Sequence, residues 1–357
     1  AAVRAALRSP LDLRTWLDLV ALGTIADVAP LDGDNRRLVR AGLARIASPH
    51  ARPGVVALRE AARIREGAPV GGVDVAFRLA PRLNAAGRLR DPAITLQLLR
   101  AGSLGEARRL AARIEQINQE RKDLQQRIGE EAVAQARALY GDAPDGGIVV
   151  AAEGWHRGVV GIVAARLVER FEAPAVVIAL EEGVGHGSCR TPEGLSVYDA
   201  VAACRAELDK FGGHAAAAGL SLSADRLEAF RGAFDATCRA MRAARPPLDA
   251  RPSVDVAIGD DYPLPSAAEL ALLEPVGEGN AEPLFCIEGA DVERASTVGQ
   301  GHLKLELRVA DRRLSAFGWE LGPLLPQIGR RIDLYGSLRP DGWHGGDALE
   351  LRIGGLL

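Results

Sequence analysis

Between residues 106 and 140 the apolar positions Leu110, Ile114, Ile117, Leu124 and Ile128 recur at intervals of three, four and seven, the spacing of one stripe on an α-helix. No proline interrupts the run, so one helix of about 50 Å is expected, at ~1.5 Å per residue. Before it, residues 1–105 read as mostly helical, with amphipathic spacing at Leu38, Leu43 and Ile46 behind a Pro/Gly/Asp turn. After it, "GDAPDGG" breaks the helix. "GIVVAA" (147–152) then reads as a buried strand, "HRGVVGIVAARLVERF" as a helix and "APAVVIAL" (173–180) as a second strand. A strand–helix–strand unit predicts an α/β domain to about residue 245, and "ARPPLDARPS" reads as a linker. From about residue 250 the pattern changes to apolar/polar alternation between turns. That predicts a small β barrel of OB-fold size.

Composition narrows the picture. A chain of 357 residues with 48% hydrophobic and 25% charged residues is a soluble, multidomain globular type. No apolar run approaches the ~20 residues needed to span a bilayer. No signal peptide is recognised, and a cytoplasmic location is expected. The Ala-rich start without Met points to an upstream part. Cys189, Cys204, Cys238 and Cys286 lack metal spacing and suit free thiols. The net charge is −3, yet only Lys122, Lys210 and Lys304 are lysines among 44 basic residues. Arginine forks grip phosphates, although a GC-rich genome gives the same bias.

Five stretches could carry chemistry. In "FGGHAAAAGL" (211–220), Gly212 and Gly213 leave backbone amides bare, His214 offers a ring donor, and the alanines are expected to start a helix whose N-terminus favours an anion. A Gly-Gly turn with a packed histidine reads the same way. In "GHGSCRTPEG" (185–194), Ser188 and Arg190 are two apart, so an extended segment points both to one side. An irregular turn with an exposed arginine is the competing reading. "RLAPRLNAAGRLRDP" (78–92) surrounds an expected helix end or turn with Arg82, Asn84 and Arg88; capping plus surface arginines is the alternative. Asp27 closes the apolar run "LVALGTIAD", as a helix cap or a metal ligand. "EGWHRGVVG" sets Trp155 and His156 ahead of Gly158, for a phosphate contact or for packing of Trp155.

In order along the chain, "LDLVALGTIADVAPLD", "PRLNAAGRL", "NQERKDLQQ", "WHRGVVGIVAARLVERF" with "FGGHAAAAG", and "PVGEGNAEPLF" with "GHLKL" resemble the RecJ family of the DHH phosphoesterase superfamily. The resemblance implies an α/β multidomain architecture. It comprises the helical C-terminal part of a DHH domain (1–105), a connecting helix (106–140), a DHH-associated α/β domain (141–245) and an OB-like nucleic-acid-binding domain (250–357). It implies a 5′→3′ single-strand-specific DNA exonuclease of recombination and repair that uses Mn²⁺ or Mg²⁺ at a two-metal site. By that match Asp27 is a catalytic residue and metal ligand, and His214 a catalytic residue. Arg88, Ser188 and Arg190 hold a 5′ phosphate, and Gly212, Gly213 and His214 hold phosphates near the scissile bond. Arg82, Asn84 and His156 join the nucleic-acid contacts.

The family's Asp-His-His motif does not occur, so the two-metal site is incomplete in this chain and the chain alone is expected to be inactive. The expected partners are single-stranded DNA, a single-strand-binding protein and a repair helicase, with no membrane, the protein acting as a monomer. Phe317, Trp319 and Trp343 are stacking candidates for the OB-like part, with core packing the competing role. Two other readings compete: a nanoRNase or cyclic-dinucleotide phosphodiesterase of the same superfamily, and a non-catalytic single-strand-binding module.

Overall fold

The computed structural model describes residues 12–244, 253–259, 263–299, 301–341 and 347–357. Trp343 and most of the expected linker lie outside them. The chain divides into two units, residues 1–80 with 249–357, and residues 81–248.

In the first unit, helix α1 (Leu17–Ala26) buries Ala21, Leu22 and Ile25. Helix α2 (Gly33–Ala47) meets it with Val39, Leu43 and Ile46, and α3 (Pro53–Ala61) starts on a proline that needs no N–H there. Fully buried Asp18 is paired with Arg52 at 2.6 and 2.9 Å, so its charge does not stand alone in the core.

The second unit begins in helix α4 (Ala80–Leu89), followed by α5 (Ala93–Arg100) and the long α6 (Leu104–Tyr140), which is capped by Ser103. The apolar stripe of α6 is buried at Ile114, Ile117 and Ile128, as its spacing predicts. "NAAG" lies inside α4 and is not a helix end or turn; no proline or capping glycine stops the helix before Leu89. Strand β1 (Ile148–Glu153), helix α7 (Val160–Phe171) and strand β2 (Ala175–Glu181) form the expected parallel unit. Strand β3 (Val184–Arg190), helix α8 (Val197–Ala203), strands β4 (Lys210–His214) and β5 (Ala217–Ser223), and helix α9 (Leu227–Ala243) complete it. The sheet runs β1-β2-β3-β5-β4, with α6 and α7 packed on one face and α8 and α9 on the other.

The alanine run after "FGGH" does not start a helix: it is strand β5, joined to β4 by a two-residue hairpin turn. Ala218, Leu220 and Leu222 bury every second position, and β5 pairs with β3 over seven residues. That pairing outweighs the helix propensity of alanine. Gly213 sits at φ +144°, where a Cβ would stand 2.4 Å from the Ala217 carbonyl oxygen, so only glycine fits.

The first unit resumes with β6 (Val256–Ile258), α10 (Ala267–Leu273) and strands β7 (Phe285–Val298), β8 (His302–Val309), β9 (Arg312–Gly318), β10 (Arg331–Pro340) and β11 (Leu349–Leu356). The order β7-β8-β9-β11-β10 closes through β10–β7 pairing into a five-stranded barrel, the OB arrangement. Leu303, Leu305 and Leu307 fill its interior with Leu314, Leu334 and Leu351. Among the described residues no helix is long and apolar enough to cross a membrane.

The four cysteines are free and buried. Burial pushes the Cys189 and Cys238 thiols up to about 12, and raises those of Cys204 and Cys286. The folded chain therefore keeps neutral thiols where the unfolded chain, titrating near 9, ionises them. Stability should fall as pH rises from about 9 toward 12. Ellman's reagent at pH 8 should find less than one reactive thiol in the native chain and all four after denaturation; four fast native thiols would contradict this burial.

Candidate functional site

Strand β3 ends with Ser188 and Arg190 on one face of the sheet. Arg190 Nη1 donates to Ser188 Oγ at 3.2 Å and to the Cys189 carbonyl at 2.8 Å, which lays the guanidinium back along the strand. Register extends that face across two more strands. Arg190 pairs with Ala217 and Ala217 with His214; Ser188 pairs with Gly219 and Gly219 with Gly212. His214 therefore stands in the same row as Arg190, about 10 Å away at two strand spacings. Between them Ala217, Gly219 and Gly212 make a floor almost without side chains. Gly212, Gly213 and His214 are exposed.

The start of α7 lies beside this face. A Cβ on Gly161 would meet Ser188 Oγ at 2.9 Å and Arg190 Nη2 at 3.3 Å. The first-turn amides of a helix have no partner inside it, so α7 presents N–H groups next to Ser188 and Arg190. The preceding turn is fixed from two directions. Trp155, buried, donates to Glu131 Oε2 at 2.7 Å, and His156 Nδ1 accepts from the Gly158 amide at 3.0 Å. A neutral His156 ring then carries its proton on Nε2 as a donor. Arg88, at the end of α4, donates to the Gly158 carbonyl at 3.2 Å. This approach works only because residue 158 has no side chain, since a Cβ there would lie 2.1 Å from the Arg88 carbonyl oxygen.

Electrostatically the place is short of negative charge. Burial pulls the Arg190 guanidinium below its usual value; Cys189 pushes it up, and the nearby Arg88 lowers it further. It remains a cation throughout the working pH range. Arg82 behaves differently from the other arginines. It grips Glu115 with two bonds, at 2.6 and 3.2 Å, so its charge is neutralised within the protein. Asn84 is exposed on α4. The second unit thus brings together Arg88, His156, Ser188 and Arg190, with Gly212 and His214 on the same sheet face as Ser188 and Arg190, while Gly213 pairs with Ala218 in the row of Cys189 on the other face. Sequence reading missed Arg121 of α6, which lies four residues after Ile117 and three before Leu124, on the apolar stripe itself, and is buried there.

Asp27 belongs to the first unit. It is the exposed residue that ends α1, so the burial cost expected of a carboxylate closing an apolar run does not arise. Among the described residues no group of three or more His, Cys, Asp or Glu side chains could hold a metal ion, so Asp27 stands without co-ligands. The chain just after it is latched to the loop of "PVGEGN" (275–280). The Leu31 amide donates to the Glu278 carbonyl at 2.6 Å. Arg36 donates to Asn280 Oδ1 at 3.0 Å and to the Leu273 carbonyl at 2.9 Å. Asn280 Nδ2 in turn donates to the carbonyls of Pro275 and Leu273.

On the barrel's outer surface His302, Phe317 and Trp319 form a ring cluster, with centroids 4.4 Å apart for His302–Trp319 and 5.3 Å for Phe317–Trp319. Trp319 is 58% exposed, so core packing is not its role. Register aligns Lys304, Phe317 and Arg352 in one row across β8, β9 and β11, although Lys304 Nζ is already paired with Glu350 Oε1 at 3.3 Å. Aromatic faces flanked by cations suit unpaired bases and their phosphates.

The family descriptions "DHHA1 domain" and "RecJ OB domain" match residues 145–240 and 259–354. Across 347 residues the chain is 34% identical to the single-stranded-DNA-specific exonuclease RecJ of Bacillus subtilis, covering 94% of this chain and 43% of that one. For the RecJ of Salmonella typhimurium the figures are 38% identity, 91% and 56%. A crystal structure of RecJ in complex with Mn²⁺ from Thermus thermophilus matches with a TM-score of 0.79 at 34% identity, over 100% of this chain and 51% of that chain. The chain belongs to the RecJ family. It spans about half the length of the curated relatives it matches.

Two packing claims can be checked by calorimetry. Gly158→Ala should lower the melting temperature of the second unit by several degrees, because its Cβ meets backbone, which cannot move aside. Asn280→Ala should cost about 1–2 kcal/mol in the first unit by leaving the latch carbonyls and Arg36 short of a partner. Unchanged melting for both variants would show these contacts to be idle.

Proposed function

We propose that this chain supplies the strand-holding parts of a RecJ-type, metal-dependent 5′→3′ exonuclease specific for single-stranded DNA, acting in the cytoplasm in recombination and repair. The observation that carries the reading is the convergence of Arg190, Ser188, Arg88 and the start of α7 beside a bare sheet floor that ends in His214. In this reading Arg88, Ser188 and Arg190 hold the 5′ terminal phosphate, with the α7 amides and His156 Nε2 as further donors. The floor of Ala217, Gly212 and Gly219 lets the sugar-phosphate backbone lie against main chain, Gly213 shapes the hairpin that carries His214, and His214 donates to a phosphate near the scissile bond. Asn84 remains available for a nucleic-acid contact, whereas Arg82 would first have to leave Glu115.

Hydrolysis would use Mn²⁺ or Mg²⁺, as the metal-bound RecJ structures of Thermus thermophilus fit. The described residues do not make that site, and Asp27 is assigned no more than ligation. His302, Phe317 and Trp319 would stack bases and Arg352 would meet a phosphate, whereas Lys304 would first have to leave Glu350. A single-strand-binding protein and a repair helicase are the proposed protein partners. The closed barrel favours this reading over a nanoRNase or cyclic-dinucleotide phosphodiesterase.

Fluorescence anisotropy with short oligonucleotides tests both surfaces. Arg190→Ala should weaken binding of a 5′-phosphorylated strand by about 1.5–3 kcal/mol and leave the 5′-hydroxyl strand nearly unaffected. Equal losses for the two strands would remove Arg190 from a terminal pocket. Trp319→Ala should cost about 1–3 kcal/mol for any unpaired strand, independent of its 5′ group. An unchanged affinity would dismiss the barrel face.

A further inference from the structure

The long helix α6 carries a polar group that its apolar stripe does not call for. Asn118 is fully buried and Arg121 is 8% exposed, one turn apart on the same face. Arg121 Nη2 donates to Asn118 Oδ1 at 3.0 Å and Nη1 donates to Gln125 Oε1 at 2.9 Å, so neutral amides of its own helix hold the guanidinium in place. Arg121 Nε and Asn118 Nδ2 are buried donors with no partner in the protein. Burying a guanidinium without a carboxylate is costly, and leaving its Nε–H unbonded adds to the cost.

The surroundings add to the oddity. After burial, the charges of Arg88 and then Arg82 bear on Arg121 and lower its affinity for the proton. The like charge of Arg88 also bears on Arg190. Glu115, the nearby carboxylate on α6, is spent on Arg82, and Glu120 on Arg90. Arg88 thus bears on both Arg121 and Arg190, and among the described residues none of the three has a carboxylate partner.

We propose that Arg121, seated by Asn118 and Gln125, is the third cation of the terminal-phosphate pocket and makes it select a doubly charged phosphomonoester over a singly charged phosphodiester. The inference rests on the reading of that pocket given above. A strand end carries close to two negative charges near neutral pH, whereas each internal phosphate carries one. A pocket with Arg88 and Arg190 alone would be content with an internal phosphate. The third buried cation makes the end of the strand the favoured occupant, which sets the register from which nucleotides are counted.

The test uses calorimetry on this chain with three forms of one short deoxyoligonucleotide: 5′-phosphate, 5′-methylphosphate and 5′-hydroxyl. The native chain should prefer the 5′-phosphate over the 5′-methylphosphate by about tenfold or more, the worth of one charge-assisted contact. Arg121→Gln should reduce that ratio to near one, with the larger loss on the 5′-phosphate strand, and Arg121→Lys should restore part of it. A ratio kept in Arg121→Gln overturns the inference and leaves the pocket intact. The absence of any 5′-phosphate preference in the native chain overturns the pocket itself. If Arg121→Gln does not fold, the ¹⁵Nε resonance of Arg121 in the native chain decides. It should shift on saturation with the 5′-phosphorylated strand and not with the 5′-hydroxyl strand; no shift with either overturns the proposal.

Discussion

An imbalance of charge organises the second unit. Arg88 bears on both Arg121 and Arg190, and the nearby carboxylates Glu115 and Glu120 are committed to Arg82 and Arg90. Such a cluster is tolerable in an empty protein only because each guanidinium is tied to neutral acceptors: the Gly158 and Cys189 carbonyls, Ser188 Oγ, and the amides of Asn118 and Gln125. The scaffold bears that cost before any ligand arrives. In the proposed role the gain would come when an anion replaced the missing carboxylates, since little rearrangement would then be required.

The glycines follow from the same constraint. Donors can crowd one anion only if nothing stands between them. Gly158 lets the Arg88 backbone approach the turn before α7, and Gly161 brings α7 against Ser188 and Arg190. The hairpin β4–β5 then continues the surface with residues that have almost no side chains. Trp155, locked onto Glu131 of α6, holds the turn in place, so the long helix acts as a foundation for the site as well as a source of its residues.

Much of the fold could be read from periodicity. The stripe on α6, the β1–α7–β2 unit and the alternation in the barrel strands are local patterns with local causes. The failures have a common cause too. "FGGHAAAAGL" is alanine-rich, and its strand character comes only from seven residues of pairing with β3, a partner more than twenty positions away. Asn84 and Arg88 ride on a helix because nothing stops α4 before Leu89. For the site, residue type and spacing were enough to single out Ser188, Arg190 and His214 as candidates, but not to reveal that Arg82 faces Glu115. Arg121 carries a sign of its own: it fills the stripe position between Ile117 and Leu124, where the spacing calls for a buried side chain and an arginine letter alone suggests a solvated one.

Barrel closure in the first unit has its own consequence. Each of the five barrel strands has neighbours on both sides along part of its length, although among the described residues 293–298 of β7 pair with β8 alone. Where the wall is closed a partner cannot dock by lending a strand to the sheet. It must be recognised through outward side chains, where discrimination depends on the shape and charge of exposed rings and cations and can drift by single substitutions without disturbing the wall that carries them.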